Sequence, residues 1–366
     1  MMIISFLVFL SLVILGHYFA WRLVLEAYPR SFPYRRWILG FFIVITTFFL
    51  SIFVIMRGEG GDFIHNLYAI SAVMFGFLTQ MMLFGAMYWA FFTVFSMIKS
   101  PYQQAWLNRK RLVACITLSI ATILFVLGTY NAYNPRVKTI VLSGWPQELS
   151  GKSFVHLSDL HIGSVYRPAW VARIAGMVNN LEPNFTIISG DLIDGSDGKL
   201  DKFVPAMQSF EAPLIFTPGN HDYYIYEGEM ERLIEEGDVI LLSDAAAVFE
   251  NIEVIGFNYL AREHSDVRRE IANLRPENDL PRLVINHVPV DQAEAEALEA
   301  KLMLSGHTHR GQIFPISAMT WLLYGRFSYG LETYNEMLTY TSAGTGTWGP
   351  PLRTNGFGEI IVFRFE

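Results

Sequence analysis

Apolar side chains fill the first third of the chain in long runs, then give way near residue 132 to short runs broken by turn residues. Four stretches, Met2–Leu25, Trp37–Met56, Leu67–Ile98 and Leu112–Tyr130, reach the roughly 20 helical residues that cross about 30 Å of hydrocarbon. The third is long for one span and too short for two, so it is expected to tilt or to extend past the membrane surface. The first has no basic residue before its apolar core and no small-residue cleavage site after it, which favours a retained helix over a secretory signal peptide.

From Val137 onward the predicted strands are Val137–Leu142, Ser153–Ser158, Phe185–Ser189, Leu214–Thr217, Val239–Leu242, Glu253–Phe257, Arg282–Ile285, Leu338–Thr341 and Glu359–Phe365. Trp170–Leu181, Glu227–Glu236 and Val290–Lys301 read as helices. Strands alternating with helices give an α/β class. The expected organisation is a transmembrane region of about four helices over residues 1–131 and an α/β domain over residues 132–366.

Charge sharpens that division. The first 131 residues hold three acidic side chains, Glu26, Glu59 and Asp62, against nine Lys or Arg, so the overall charge of −7 comes from a strongly acidic second part. An acidic domain without clustered Lys and Arg argues against a nucleic-acid partner. Arg22, Arg30, Arg35 and Arg36 make one connection basic, and Lys99, Arg109, Lys110 and Arg111 another, whereas Arg57 faces Glu59 and Asp62 between them. The positive-inside bias then puts the two basic connections in the cytoplasm and the α/β domain outside it. Trp21, Trp37, Trp89 and Trp106 fall near span ends, as aromatic belts do. His17 and Gln80 are the polar intramembrane residues a transport path would use; a His bonding a neighbouring helix is the plainer reading. Cys115 is the only cysteine, which excludes an internal disulfide and a thiolate zinc site.

Metal-ligand residue types recur just after predicted strands. Asp159 and His161 follow one, Gly190-Asp191 the next, and Gly219-Asn220-His221-Asp222 the one after; His287 follows Leu283–Ile285, and His307 and His309 follow Met303–Leu304. In open α/β sheets the crevice outside the strands' carboxyl ends is where ligands bind. Carboxylate, imidazole and amide donors without thiolate suit a hard or borderline divalent ion.

At these residues the sequence resembles the calcineurin-like metallophosphoesterases: Asp159-Leu-His161, Gly190-Asp191-Leu-Ile-Asp194, Gly219-Asn220-His221-Asp222, His287 and Gly306-His307-Thr-His309 stand in the family's order over about Ser153–Glu366. The resemblance implies a four-layer α/β domain, two mixed sheets packed face to face with helices outside. It implies two divalent ions, Mn, Fe or Zn. One would take Asp159, His161, Asp191 and His309, and the other Asp191, Asn220, His287 and His307. It also implies in-line attack on phosphorus by an activated water, with His221 protonating or hydrogen-bonding the leaving oxygen. Asp222 is expected to orient that imidazole or to cap the turn, and Asp194 to sit behind the ligands rather than among them.

Within the family, Leu149–Val155, Gly311-Gln312-Ile313 and Gly344–Arg353 look like the bacterial membrane-associated branch that includes the YkuE and YaeI type proteins. Arg310 stands where that branch usually has glycine, and either contacts phosphate or points to solvent. Gly344–Gly349 formally fits a dinucleotide fingerprint, but two prolines follow where a helix should begin. That glycine-rich loop is expected either to offer N–H groups to a phosphate, with Arg353 beside it, or to be an ordinary turn. The aromatic stretch Phe314–Tyr329 reads either as core or as a wall facing the bilayer, through Trp321, Tyr324 and Phe327. The expected enzyme is an integral protein of a bacterial cell membrane, hydrolysing a phosphodiester or pyrophosphate bond in a phosphorylated lipid or lipid-linked envelope precursor. The branch is similar to enzymes acting on UDP-diacylglucosamine, a cytoplasmic type of substrate at odds with an outward-facing domain. A broad phosphomonoesterase or protein phosphatase, and a transporter or scaffold with a silent domain, are the alternatives.

Overall fold

Five helices form the N-terminal part of the computed structural model: α1 (Met2–Ala27), α2 (Arg35–Met56), α3 (Asp62–Met97), the short α4 (Gln103–Leu107) and α5 (Lys110–Tyr133). The structure describes residues 2–28, 33–56, 61–98, 102–195, 199–225, 227–259 and 279–366. Arg30, Arg57, Glu59 and Lys99, which enter the loop charges above, lie outside the described residues. Among the described residues α3 and α5 are long and apolar enough to cross a membrane, while the apolar stretch of α2 is shorter, Trp37–Ile52. Two of the four expected spans are therefore clear.

At 36 residues, α3 is about 54 Å long, and its first turns reach residues 164–167 of the α/β domain. There His65 Nδ1 lies 2.9 Å from Ser164 Oγ, Arg167 donates to Asn66 at 3.0 Å, and Val165 packs against the Phe49, Ile52, Tyr68 and Ala72 cluster. Helix α5 buries Ala114, Ala121, Gly128 and Ala132 and exposes Leu112, Ile116, Ile123, Val126 and Tyr130. Small residues on its inner face let neighbouring backbone approach closely. His17 lies 2.8 Å from Thr46 Oγ1 and 2.7 Å from the Val13 carbonyl, so its ring ties α1 to α2. Gln80 is fully buried.

Only Asn134 and Pro135 separate α5 from the first strand. The junction is stapled, because Trp170 Nε1 donates to the Tyr133 carbonyl at 3.0 Å and Tyr166 Oη to that of Ala132 at 3.0 Å.

Two six-stranded mixed sheets follow. The first has the order β1 (Arg136–Leu142), β12 (Glu359–Phe365), β2 (Ser153–Leu157), β3 (Phe185–Ser189), β4 (Leu214–Thr217) and β5 (Val239–Leu241). The second runs β10 (Gly330–Tyr334), β11 (Met337–Thr341), β9 (Ala300–Ser305), β8 (Arg282–Asn286), β7 (Ile252–Phe257) and β6 (Ala245–Phe249). Strands β2 to β5 are mutually parallel, as are β7, β8, β9 and β11. The side chains of β3, β4, β7 and β8 are buried on both faces, as parallel central strands require, whereas β5 at the sheet edge exposes Ile240 and Leu241. Phe154, Phe185, Ile187, Ile215, Leu283, Leu302 and Phe363 fill the space between the sheets. Helices α6 (Pro168–Asn179), α7 (Val204–Met207) and α8 (Glu227–Glu236) cover the outer face of the first sheet through Ile174, Val178, Met207 and Leu233. Helix α9 (Gln292–Ala297) covers the other through Ala295, beside Leu298.

Among the described residues three strands and three helices, the short α4 and α7 among them, were not read from sequence. The predicted Val290–Lys301 helix ends at Ala297, because Glu299 adopts a left-handed backbone, φ 58°, and the chain restarts as β9. No glycine marks that break. Edge strands β6 and β10 alternate half-buried and exposed positions. Helix α10 (Ser317–Tyr324) is apolar almost all round, so it shows no helical period.

Candidate metal centre

Strands β2, β3 and β4 of one sheet and β8 and β9 of the other end at the same edge, and the loops that leave them carry the ligand-type residues. Asp159, His161, Asp191, His307 and His309 all have positive φ, between 48° and 67°. Non-glycine residues held in that region cost free energy and cluster at functional sites. Two glycines make the crowding possible: a Cβ on Gly190 would collide with the His287 ring, and one on Gly306 with Ser158 and Asp159.

Asp159, His161 and His309 form one group of ligand atoms, and Asp191, His287 and His307 a second, within each of which the atoms lie no more than 4.8 Å apart. In the first, His309 Nε2 is 3.2 Å from His161 Nε2 and 3.3 Å from Asp159 Oδ1. In the second, His287 Nε2 is 3.1 Å from Asp191 Oδ2, and Asn220 Oδ1 lies 2.9 Å from His307 Nδ1. Asp191 joins the two, since the same Oδ2 is 3.7 Å from His161 Nε2. All seven residues that the resemblance assigns to metals, with Asp191 shared by both sets, converge here. Asp194 Oδ1 is 3.6 Å from His161 Nδ1, and Asp194, His161 and His221 form a third group of ligand-type atoms.

The donor set fits divalent metal. Nδ1 of His287 is 2.8 Å from the Ser189 carbonyl, so in the neutral ring it carries the hydrogen and Nε2 turns a lone pair towards a carboxylate. Two electron-rich atoms in that relation call for a cation. His161, His287 and His309 are buried and each keeps a ring nitrogen without a hydrogen-bond partner. Burial holds the His161 imidazole down to about 3 and His309 well below its usual range, which keeps both neutral and ligand-competent. Burial would depress His287 too, yet Asp191 and Asp159 lift it to about 9. Burial raises the Asp159 carboxyl to about 6. Although burial opposes it, the His287 ring holds the Asp191 carboxyl far below the carboxylate range.

His221 stands at the rim, 4.8 Å ring to ring from His161, with Tyr224 at 4.9 Å and Trp348 at 5.8 Å. Its Nδ1 is 3.4 Å from the Asp194 carbonyl, and burial lowers its pKa. Asp222 does not reach that ring. Its carboxylate accepts from the backbone N–H groups of Gly219 at 2.7 Å, Asp191 at 2.8 Å and Ile193 at 3.0 Å. It therefore ties the Asp191 loop to the Asn220 loop, which is the capping alternative on a larger scale.

Both arginines meet protein groups. The Arg310 guanidinium stacks on the Tyr329 ring at 4.2 Å. Arg353 is fully buried and donates to the carbonyls of Ala343 and Gly346 at 2.6 Å and of His309 at 3.3 Å. Much of the glycine-rich loop's backbone is also engaged within the protein. Thr345 N–H bonds the Ser158 carbonyl at 2.7 Å, Gly346 N–H that of Asp159 at 3.0 Å, and Trp348 N–H the Gln312 side chain at 3.1 Å. It is a buttress behind the first ligands. Sequence reading passed over Ser158, whose hydroxyl bonds Asp159 Oδ2, and Ser189; a small hydroxyl residue at a strand end carries no signal of its own.

Residues 152–311 match the family model for calcineurin-like phosphoesterases. Over 98% of its length the chain is 28% identical to a "transmembrane protein with metallophosphoesterase domain" of Danio rerio, covering 88% of that protein. It is 30% identical to an uncharacterized metallophosphoesterase of Helicobacter pylori over 66% of each chain. To one of Campylobacter jejuni it is 24% identical over 100% of this chain and 98% of the other. With its buried cluster of ligand side chains, the chain belongs to the calcineurin-like metallophosphoesterases and is a metal-dependent phosphoester hydrolase.

Proposed function

We propose that this hydrolase is anchored in a bacterial cell membrane and uses two divalent ions, Mn, Fe or Zn, to cleave a phosphodiester or pyrophosphate bond in a lipid or lipid-linked precursor. Helix α10 carries the substrate reading. It follows the His307–His309 loop, its last residue Tyr324 lies 6.1 Å ring to ring from His307, and Met319, Trp321, Leu322 and Leu323 are 56%, 61%, 76% and 68% exposed. An apolar helix face of that kind beside a site marks contact with lipid or protein. Confinement of enzyme and substrate to one surface also raises their effective concentration.

Anchoring is supported by α3 and α5 and by the Danio rerio relative's name. Arg109, Lys110 and Arg111 lie at the start of α5, whereas the α/β domain bonds its other end at Gly128 and Ala132. Basic residues favour the cytoplasmic side, which supports an extracytoplasmic catalytic domain. The bilayer and a phosphorylated lipid are the partners in this reading, and nucleic acid is not.

Asp159, His161, Asp191 and His309 would hold one ion, and Asp191, Asn220, His287 and His307 the other. When bound, such ions supply Lewis-acid charge at the phosphoryl oxygens and make water a nucleophile near neutral pH. Asp191 fixes the spacing of the two half-sites. His221, at the open rim, would protonate or hydrogen-bond the leaving oxygen.

The test is hydrolysis by the detergent-purified full chain with Mn2+ of bis(p-nitrophenyl) phosphate and p-nitrophenyl phosphate, then of a phosphodiester lipid in vesicles. Diester cleavage with faster turnover in vesicles is expected. Preference for the soluble monoester would favour a broad phosphatase, and absence of both metal and turnover would favour the transporter or scaffold.

A further inference from the structure

One short segment touches the helical bundle on one side and the ligand loop on the other. Against α3, a Cβ on Gly76 would meet Pro350 at 3.0 Å. Against α5, the Arg353 N–H donates to the Gly128 carbonyl at 2.9 Å, and Asn131 Nδ2 lies 3.4 Å from the Arg353 carbonyl. Gly128 allows this approach, since a Cβ there would lie 2.7 Å from both Leu352 Cδ1 and Thr354 Cγ2 and 3.2 Å from the Arg353 carbonyl.

The other face of the segment holds the loop that carries His307 and His309. The Arg353 guanidinium donates to the His309 carbonyl and, through Ala343 and Gly346, to the loop behind Asp159. Thr354 and Asn355 N–H groups donate to the Gln312 carbonyl at 3.0 and 3.1 Å, and Gln312 Nε2 donates back to Trp348 and Pro350 at 3.1 and 3.2 Å. The loop needs such restraint. His307, His309, Arg310, Gly311 and Gln312 all have positive φ, a run that backbone preference alone disfavours.

We propose that Arg353 is a positioning residue through which the docked helices α3 and α5 set the placement of His309 in the metal centre. The planar guanidinium suits this role, because its fork holds carbonyls of both loops at once while the same residue's backbone is fixed to α5. The helical bundle then has a part in the hydrolase beyond anchoring: it completes the framework around one ligand half-site. The inference depends on His309 being a ligand and is independent of what the substrate is.

The experiment uses the full chain in detergent and three single variants. Gly128→Ala adds one methyl against Leu352 and Thr354. Arg353→Lys keeps the charge and loses the fork. Gly40→Ala, where a Cβ meets nothing within 4 Å, is the control. Mn2+ affinity by titration calorimetry and the visible absorption of the Co2+-loaded protein are read beside kcat and KM. Gly128→Ala and Arg353→Lys are expected to bind Mn2+ about 10-fold more weakly, to alter the Co2+ spectrum and to lower kcat with KM kept, while Gly40→Ala matches wild type. Wild-type Mn2+ affinity and Co2+ spectrum in both variants would overturn the proposal, even if their thermal stability falls, because the contact would then be structural only. Asp191→Ala, measured in parallel, tests the metal centre itself and separates failure of that reading from failure of this one.

Discussion

Oδ2 of Asp191 faces Nε2 of His287 across 3.1 Å, a carboxylate and an imidazole whose other nitrogen is turned to the Ser189 carbonyl. Asp191→Ala removes the side chain shared by both half-sites. The expected outcome is loss of metal from the purified protein by elemental analysis and a fall in diester hydrolysis well beyond the roughly 100-fold typical of losing an outer partner.

Metal and proton compete for His287. Its folded pKa is raised to about 9, so in the metal-free protein the ring is protonated below that pH and the ion must displace the proton. Mn2+ binding should therefore release protons and tighten from pH 6 to pH 8, by up to about tenfold per pH unit for one proton displaced. The pair's contribution to metal-free stability has the opposite sense. It is fully present below the unfolded pKa and is lost as pH rises through about 9. Titration calorimetry in buffers of different ionisation heat reads the protons, and a pH series of thermal unfolding reads the stability.

His221→Ala should leave metal content unchanged and lower kcat about 10²- to 10⁴-fold on a substrate with an alkoxide leaving group. The loss should be much smaller with p-nitrophenolate, which departs without a proton. Equal losses on the two substrates would rule out the leaving-group role.

Asp222→Ala strands the buried N–H groups of Gly219, Asp191 and Ile193. The expected cost is at least about 2 kcal/mol, seen as a melting temperature lower by about 5 °C. If the carboxylate acted chiefly on His221, activity would fall without that loss of stability.

Exchange of Leu322 and Leu323 for Ser should slow cleavage of a vesicle-borne phosphodiester and leave bis(p-nitrophenyl) phosphate turnover unchanged. Both side chains are mostly exposed, so the fold has little to lose. Equal rates on vesicles for variant and wild type would remove α10 from the substrate reading.

The ligand residues were legible because strand periodicity and residue type coincide: Asp159, Asp191, Asn220 and His287 each follow a short apolar run that ends at a turn. What stayed hidden depends on contacts between distant segments. Asp222 looks like a partner for the adjacent His221, but its hydrogen bonds to Asp191 and Ile193 cross from β4 to the loop after β3. Arg353 sits beside a glycine-rich loop and invites a phosphate reading, yet burial and three carbonyl acceptors make it internal. Strand β9 was obscured by Glu299, whose left-handed backbone at φ 58° is a conformation its residue type does not announce.

The two-residue junction between α5 and β1 leaves the α/β domain no leash. A long flexible linker would let a catalytic head sweep a hemisphere and sample targets at many heights. Here the stapling of Trp170 and Tyr166 to the last turn of α5 fixes both the height and the tilt of the mouth relative to that helix. In a bilayer the enzyme would search by lateral diffusion in a plane, and a scissile bond would be reached only if its own chemistry holds it at that one depth.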